Sequence, residues 1–402
     1  MKKRSIRDLS LKGKRCLIRV DYNVPLSASG EVADDTRIRA SLETLTFARQ
    51  KGARIILVSH LGRPDGKVVE KLRMNPVAKH LEKLLGTAVR KLDDCIGASV
   101  VSQAKALKDG EVLLLENVRF HQEEEQNGLS FARSLSETAE LYVNDAFGTA
   151  HRAHASTAGV AQFLPSAMGF LMEKEVSALS KVLFHPEKPF AMILGGAKVS
   201  DKVGILDHLI EKLDLILIGG AMAYTFLKVQ GVAVGKSRVE EDKLDVARSI
   251  LKKIEAKKIT LVLPVDHATS PEPLGKEKLT QKALRKPGIP EGEYGYDIGP
   301  ETVKRFIDPL KKAKTVLWNG PVGVFEQPLF VEGTCEIARF LAGQRQVTSV
   351  IGGGDTVAAV SQLGFADKMT HVSTGGGASL EFLEGKTLPG IAALADAEAV
   401  NV

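Results

Sequence analysis

The chain has 402 residues, room for roughly two to three domains at about 150 residues each. Apolar residues make up 44% and charged residues 26%, which excludes a disordered, collagenous or coiled-coil protein. Lys and Arg number 55 against 49 Asp and Glu, a formal charge of +6; anionic partners are expected, and with no long basic tract, RNP-like pattern or zinc-finger spacing these are small metabolites rather than nucleic acid.

The basic start Met1-Lys2-Lys3-Arg4 runs into Ser5-Ile6-Arg7-Asp8 and lacks the apolar core of a secretory signal. No later run is long enough to span a bilayer. Cys16, Cys95 and Cys335 are odd in number and far apart, which argues against a disulfide framework or a zinc site and points to a reducing, cytoplasmic setting.

Short apolar runs ending in Gly, Asp, Asn or His recur along the chain. The early ones are Arg15 to Val24, Arg54 to His60, Val112 to Val118 and Leu141 to Phe147. The later ones are Phe190 to Gly195, Leu213 to Gly219, Ile259 to Val265, Thr315 to Asn319, Ser349 to Gly352 and His371 to Thr374. Amphipathic stretches lie between them, with Ile38, Leu42 and Leu45 on one face and Leu244, Ala247, Leu251 and Ile254 on another. Continuously apolar strands alternating with helices predict parallel sheets buried on both faces, a doubly wound α/β architecture. From Met168 to Leu183 the pattern predicts one long helix, bracketed by Pro165 and by Pro186 and Pro189, and the domain boundary is placed there.

In open α/β sheets ligands bind beyond the carboxyl ends of the strands. In the first half those ends carry Asp21 and Asn23, then His60 and Arg63, then Arg119, then His151, Arg152 and His154, while Arg37 opens the first helix behind an N-cap at Asp34, Asp35 or Thr36. Several guanidinium forks converging from separate loops make a site for phosphate and carboxylate. Asp21 and Asn23 could instead be turn residues before Pro25. His151 and His154, spaced one helical turn apart, could be metal ligands, but no carboxylate or cysteine lies at a suitable spacing; phosphate contact for His151 and packing for His154 fit better.

In the second half the strand ends are glycine-rich: residues 195–202, 219–221, 352–356 and 375–379. Glycines allow close backbone approach and a following helix offers free N–H groups, so these loops predict a polyphosphate cradle. Lys198 and Lys202 are expected at one helix start, facing the same phosphates, and Asp355 is expected to hold Mg²⁺. The segment Gly231 to Ser237 resembles a Walker A loop but is one residue short, and no dinucleotide fingerprint is present.

The motifs Arg19-Val20-Asp21-Tyr22-Asn23-Val24-Pro25, Ser59-His60-Leu61-Gly62-Arg63-Pro64, Glu116-Asn117-Val118-Arg119-Phe120, the Gly195 to Lys202 loop, Trp318 to Glu326 and Gly352 to Thr356 together resemble phosphoglycerate kinase, nearly end to end. The resemblance implies two Rossmann-like domains joined by a long helix in a bilobal, hinge-bending kinase. Residues 1–167 with 388–402 would bind 3-phosphoglycerate, 168–185 would form the interdomain helix, and 186–387 would bind nucleotide; Val400 and its neighbours would return to the first domain. It implies that 3-phosphoglycerate or 1,3-bisphosphoglycerate is held by Asp21, Tyr22, Asn23, Arg37, His60, Leu61, Gly62, Arg63, Arg119, His151 and Arg152. ADP or ATP with Mg²⁺ would contact Gly196, Ala197, Lys202, Gly219, Gly220, Gly295, Asn319, Pro321, Val324, Glu326, Gly353, Gly354, Asp355 and Thr356. Arg37, Lys198, Lys202 and the N–H groups at Gly376 would neutralise charge during transfer, and the chain would be a monomer. Departures are small: Tyr22 stands where the family often has Phe or Leu, and Gln327-Pro328-Leu329 varies.

Rival readings are a two-lobed binding protein without chemistry and a nicotinamide oxidoreductase. Two distinct ligand surfaces speak against the first, and the missing dinucleotide fingerprint against the second.

Overall fold

A computed structural model describes residues 3–275 and 277–397; the expected return of Val400 lies outside the described residues. The chain forms two compact units. Residues up to Ser177 with those from Thr387 onward make the first, and Ala178–Lys386 the second; the division falls inside the helix Phe170–Phe184.

The first unit is built on six parallel strands: β1 Arg15–Arg19, β2 Arg54–Val58, β3 Val89–Lys91, β4 Val112–Leu114, β5 Leu141–Asn144 and β6 Ser166–Met168, in the order β3-β4-β2-β1-β5-β6. In β1 and β2 every residue after the first is buried, and β4 is wholly buried, because helices cover both faces of the sheet. The chain leaves β1 toward β2 and later returns to β5 on the other side, so the order reverses between β1 and β5. That is the position where an open α/β sheet leaves a crevice. Segment 387–397 belongs to this unit: Gly390 N–H donates to Ala150 O, and Asn144 Nδ2 to Gly390 O.

The second unit repeats the plan with β7 Phe190–Leu194, β8 Leu215–Ile218 and β9 Thr260–Val262, then β13 Thr315–Asn319, β14 Thr348–Gly352 and β15 His371–Val372, in the order β15-β14-β13-β7-β8-β9. Its reversal lies between β7 and β13. Between β9 and β13 the chain adds a small antiparallel sheet that the apolar pattern did not reveal: β10 His267–Ser270, β11 Ala283–Arg285 and β12 Tyr294–Ile298, in the order β11-β10-β12.

Two helical expectations need correction. Ile38, Leu42 and Leu45 do not share one helix. Thr36–Ala40 and Leu42–Gln50 are separate helices broken at Ser41, whose buried hydroxyl donates to Ile38 O and pairs with Tyr22 Oη. His151 lies in a turn and His154 in an irregular segment, neither on a helix. Among the described residues no helix is long and apolar enough to cross a membrane.

Candidate functional site

Each unit carries its own candidate site at the reversal point of its sheet. In the first unit, the loops after β1 and β2 and the turn after β4 are stitched together by polar side chains. Arg37 Nη1 donates to both carboxylate oxygens of Asp21, at 3.3 and 3.2 Å, and to Asn23 O at 3.0 Å. Asn23 Oδ1 accepts from Gly62 N–H at 2.8 Å, and Arg119 Nη1 donates to Gly62 O at 3.0 Å. Asn117 clamps the same loops, its Oδ1 accepting from Leu61 N–H and Arg119 N–H. Arg63 is exposed on that loop; Arg152 is half-buried, its Nε donating to His151 Nε2 at 3.3 Å.

Beneath this surface lies a buried network that the strand-end rule missed. Arg19, on β1 and only 1% exposed, donates from Nε to Ser156 Oγ at 2.8 Å, and Ser156 donates to Glu124 from both Oγ and its N–H. A guanidinium has no acceptor. The 3.1 Å contact between Arg19 Nη2 and His60 Nδ1 is therefore a donation to Nδ1, which leaves the His60 ring proton on Nε2. Burial holds His60 well below its ordinary pKa, and Arg19, Arg119 and Arg37 push the same way. Burial also lowers His154 to about 3, with Arg119, Arg19 and Arg152 adding to the effect. Glu124 is pushed up by burial and pulled back by Arg19. The result is a pocket of permanent guanidinium charge around neutral imidazoles, suited to an anion with several oxygens.

In the second unit a cavity of about 600 Å³ is lined by Gly196, Ala197, Gly220, Gly295, Pro321, Val324, Glu326 and Asp355, all named from the sequence. Lys236, Arg238, Leu274, Tyr294 and Tyr296 also line it and were missed. Tyr294 and Tyr296 sit two apart on β12 with rings nearly parallel at 5.9 Å. A Tyr-x-Tyr pair of this kind was a readable sign of a flat, apolar wall for a ring system. Lys202 donates to Asn319 Oδ1; burial lowers its ammonium pKa, opposed by Asp201 and Asp355. Gly353 caps the helix Gly354–Gln362, which carries Asp355 in its first turn, and Thr356 Oγ1 accepts from Gly320 N–H at 2.6 Å. Gly376 caps the helix Gly377–Leu383.

The geometry corrects several expectations. Lys198 and Lys202 do not share a helical turn. Glu240 accepts from Val199 N–H and from Ser200 N–H and Oγ, which holds residues 195–202 as a loop; the helix starts at Val203 and Lys198 is exposed. Tyr22 and Leu61 are buried at 0% and 2%, so their side chains serve the core. The glycines also divide by role. A Cβ on Gly195 would sit 2.1 Å from Pro321 O, and one on Gly219 2.7 Å from Val322 Cβ, so these positions let strand-end loops pack on one another. Gly354 and Gly376 have open space around them, as a ligand-facing position requires. The Gly231 to Ser237 segment is not a phosphate loop: Val234 bridges Ile289, and Ser237 Oγ accepts from Gly295 N–H.

Sequence and structure comparisons converge on one family. The family model described as phosphoglycerate kinase matches residues 6–386. The chain is 53% identical over 396 residues to the phosphoglycerate kinase of Pelotomaculum thermopropionicum, covering 98% of this chain and 100% of the relative. It is 56% identical over 393 residues to that of Anaeromyxobacter dehalogenans, covering 97% and 98%. Among solved structures, the phosphoglycerate kinase of Coxiella burnetii superposes with a TM-score of 0.88 at 40% identity, and that of Pyrococcus horikoshii with 0.82 at 32%, each covering 97% of this chain and 98% of the other.

Proposed function

Because the chain belongs to the phosphoglycerate kinase family, and is on that ground a phosphotransferase, we propose how its two units divide the reaction between the acyl phosphate of 1,3-bisphosphoglycerate and ADP. The first unit takes the glycerate phosphate. Arg63, Arg119, His151 and Arg152 engage its phosphate, Asp21 and Asn23 its hydroxyl and carboxyl end, and His60 donates from Nε2. The second unit takes the nucleotide, with its base against the Tyr294 and Tyr296 side of the cavity and its phosphates toward Gly196, Lys202, Gly354 and Gly376.

The observation that carries the reading is the pairing of a guanidinium-rich pocket in one unit with a glycine-lined cavity in the other, each at the reversal point of its sheet. A loose phosphoryl-transfer transition state asks for alignment and neutralisation of its equatorial oxygens more than for covalent chemistry. Arg37 and Lys202 supply fixed positive charge, and the N–H groups from Gly376 onward supply donors. The acceptor carboxylate is already ionised near neutral pH, so no strong general base is needed.

Asp355 suits Mg²⁺: it is exposed, lines the cavity, and offers one carboxylate of the kind that holds this ion alongside substrate phosphates and water. The bound ion supplies neutralisation of phosphate charge. Transfer requires donor and acceptor to meet, so a hinge-bending step accompanies the ternary complex. A cytoplasmic, monomeric enzyme fits the reading.

The test is a coupled assay with ATP, Mg²⁺ and 3-phosphoglycerate, each omitted in turn. Turnover is expected only with all three present; turnover without 3-phosphoglycerate would overturn the proposal.

A further inference from the structure

The three cysteines are too scattered along the chain to suggest a metal, yet the fold brings one of them together with two other ligand types. We propose that Asp94, Cys95 and His121 form a binding site for a borderline-soft divalent cation, Zn²⁺, separate from the nucleotide-linked Mg²⁺. A carboxylate oxygen, the Cys95 Sγ and a His121 ring nitrogen all lie within 4.8 Å of one another, the only such group of three among the described residues.

The site is drawn from two separate loops: Asp94 and Cys95 follow β3, while His121 follows the single helical turn Val118–Phe120. Asp94 Oδ1 already accepts from Cys95 N–H at 2.7 Å and from His121 Nε2 at 2.8 Å, so the carboxylate and the imidazole are aimed at each other. The His121 ring is set by packing on Phe131, centroid to centroid 5.1 Å. Cys95 is buried, whereas the side chains of Asp94 and His121 are 55% and 28% exposed. The thiol therefore forms the floor, and the other two groups the rim through which an ion enters.

Donor chemistry selects the ion. Thiolate, imidazole and one carboxylate make a three-ligand set that leaves a fourth tetrahedral position for water. A hard ion such as Mg²⁺ prefers all-oxygen surroundings, and this group does not provide them. An ion here would tie the loop after β3 to residues 118–125, the segment that supplies Arg119 and Glu124. The inference does not depend on the phosphotransfer reading.

The experiment is titration of the chelator-stripped, full-length protein with Zn²⁺ against a chromophoric competitor in excess Mg²⁺. One equivalent is expected to bind to the wild type, with Co²⁺ substitution giving a thiolate-to-cobalt charge-transfer band. Cys95→Ser should abolish that band. Because this thiol is buried, His121→Gln at the rim provides the second variant, expected to weaken Zn²⁺ binding by about tenfold or more, while Cys335→Ser leaves it unchanged. No competitive Zn²⁺ binding by the wild type, or equal affinity in wild type and His121→Gln, would overturn the site.

Discussion

Arg37 is anchored by the Asp21 carboxylate and the Asn23 carbonyl, yet 41% of its side chain remains exposed. Its contribution to stability is therefore small, and in the proposed mechanism its charge meets the negative charge developing on the transferring phosphoryl group. Arg37→Ala is expected to lower kcat by about 10²-fold or more with an unchanged melting temperature; steady-state kinetics and calorimetric melting of the same preparation check this. The buried imidazoles make a different prediction. His154 titrates at about 3 in the native state, against about 6.5 unfolded. Between those values the unfolded chain binds a proton that the native chain does not, so this histidine's contribution is present above pH 6.5 and is lost on acidification. Asp145 and Asp297, raised by burial to about 7, act with the opposite sign over the same range, so the histidine has to be isolated by difference. The stability of His154→Gln relative to wild type should rise as pH falls from 6.5 toward 4, by at most about 1.4 kcal/mol per pH unit. Urea unfolding at several pH values measures it, and a flat difference would contradict the assignment. Asp21, His60 and Arg119 were legible as candidates because they sit at the polar ends of apolar runs, beyond the strands themselves. Arg19 was not: it lies inside such a run, and its partner Ser156 is 137 residues away in the chain.

At the scale of elements, each of the ten apolar runs read from the sequence overlaps a strand of one of the two parallel sheets. Buried parallel strands announce themselves by continuous hydrophobicity. What escaped was short, half-exposed or, in β10 and β12, buried but not continuously apolar. β3 and β6 have three residues each, and β11 shows the burial pattern intermediate, exposed, intermediate. Nothing in their composition separates them from loop. The glycine loops were legible as loops, but whether each glycine serves packing or a ligand depends on what lies opposite, which no local pattern encodes. This yields a paired prediction. Gly195→Ala drives a methyl group into the Pro321 carbonyl and should cost about 2 kcal/mol or more, seen as a lower urea midpoint. Gly354→Ala meets nothing within 4 Å and should leave the midpoint unchanged while weakening ADP binding in calorimetry. A loss of stability in both would show that Gly354 also serves the fold.

Across the whole molecule, the two units share one physical device, which the proposed function turns to different chemistry. Each gathers its candidate site residues where strand order reverses, the first lining that crevice with guanidinium groups and the second with glycine loops beside an aromatic pair. The contrast between the two sets of strand ends, on which the proposed division of labour rests, was legible in the sequence, and so was the Tyr-x-Tyr pair, although only the antiparallel sheet shows that both residues line the cavity. The claim that the acceptor and the nucleotide occupy different units is tested most directly by hydrogen exchange on the wild-type protein with each ligand added alone. With 3-phosphoglycerate, slowed exchange is expected in residues 59–63, 117–121 and 148–154; with MgADP, in residues 196–203, 219–223, 294–297 and 353–357. Protection by both ligands in the same unit, or in the reverse assignment, would contradict the account.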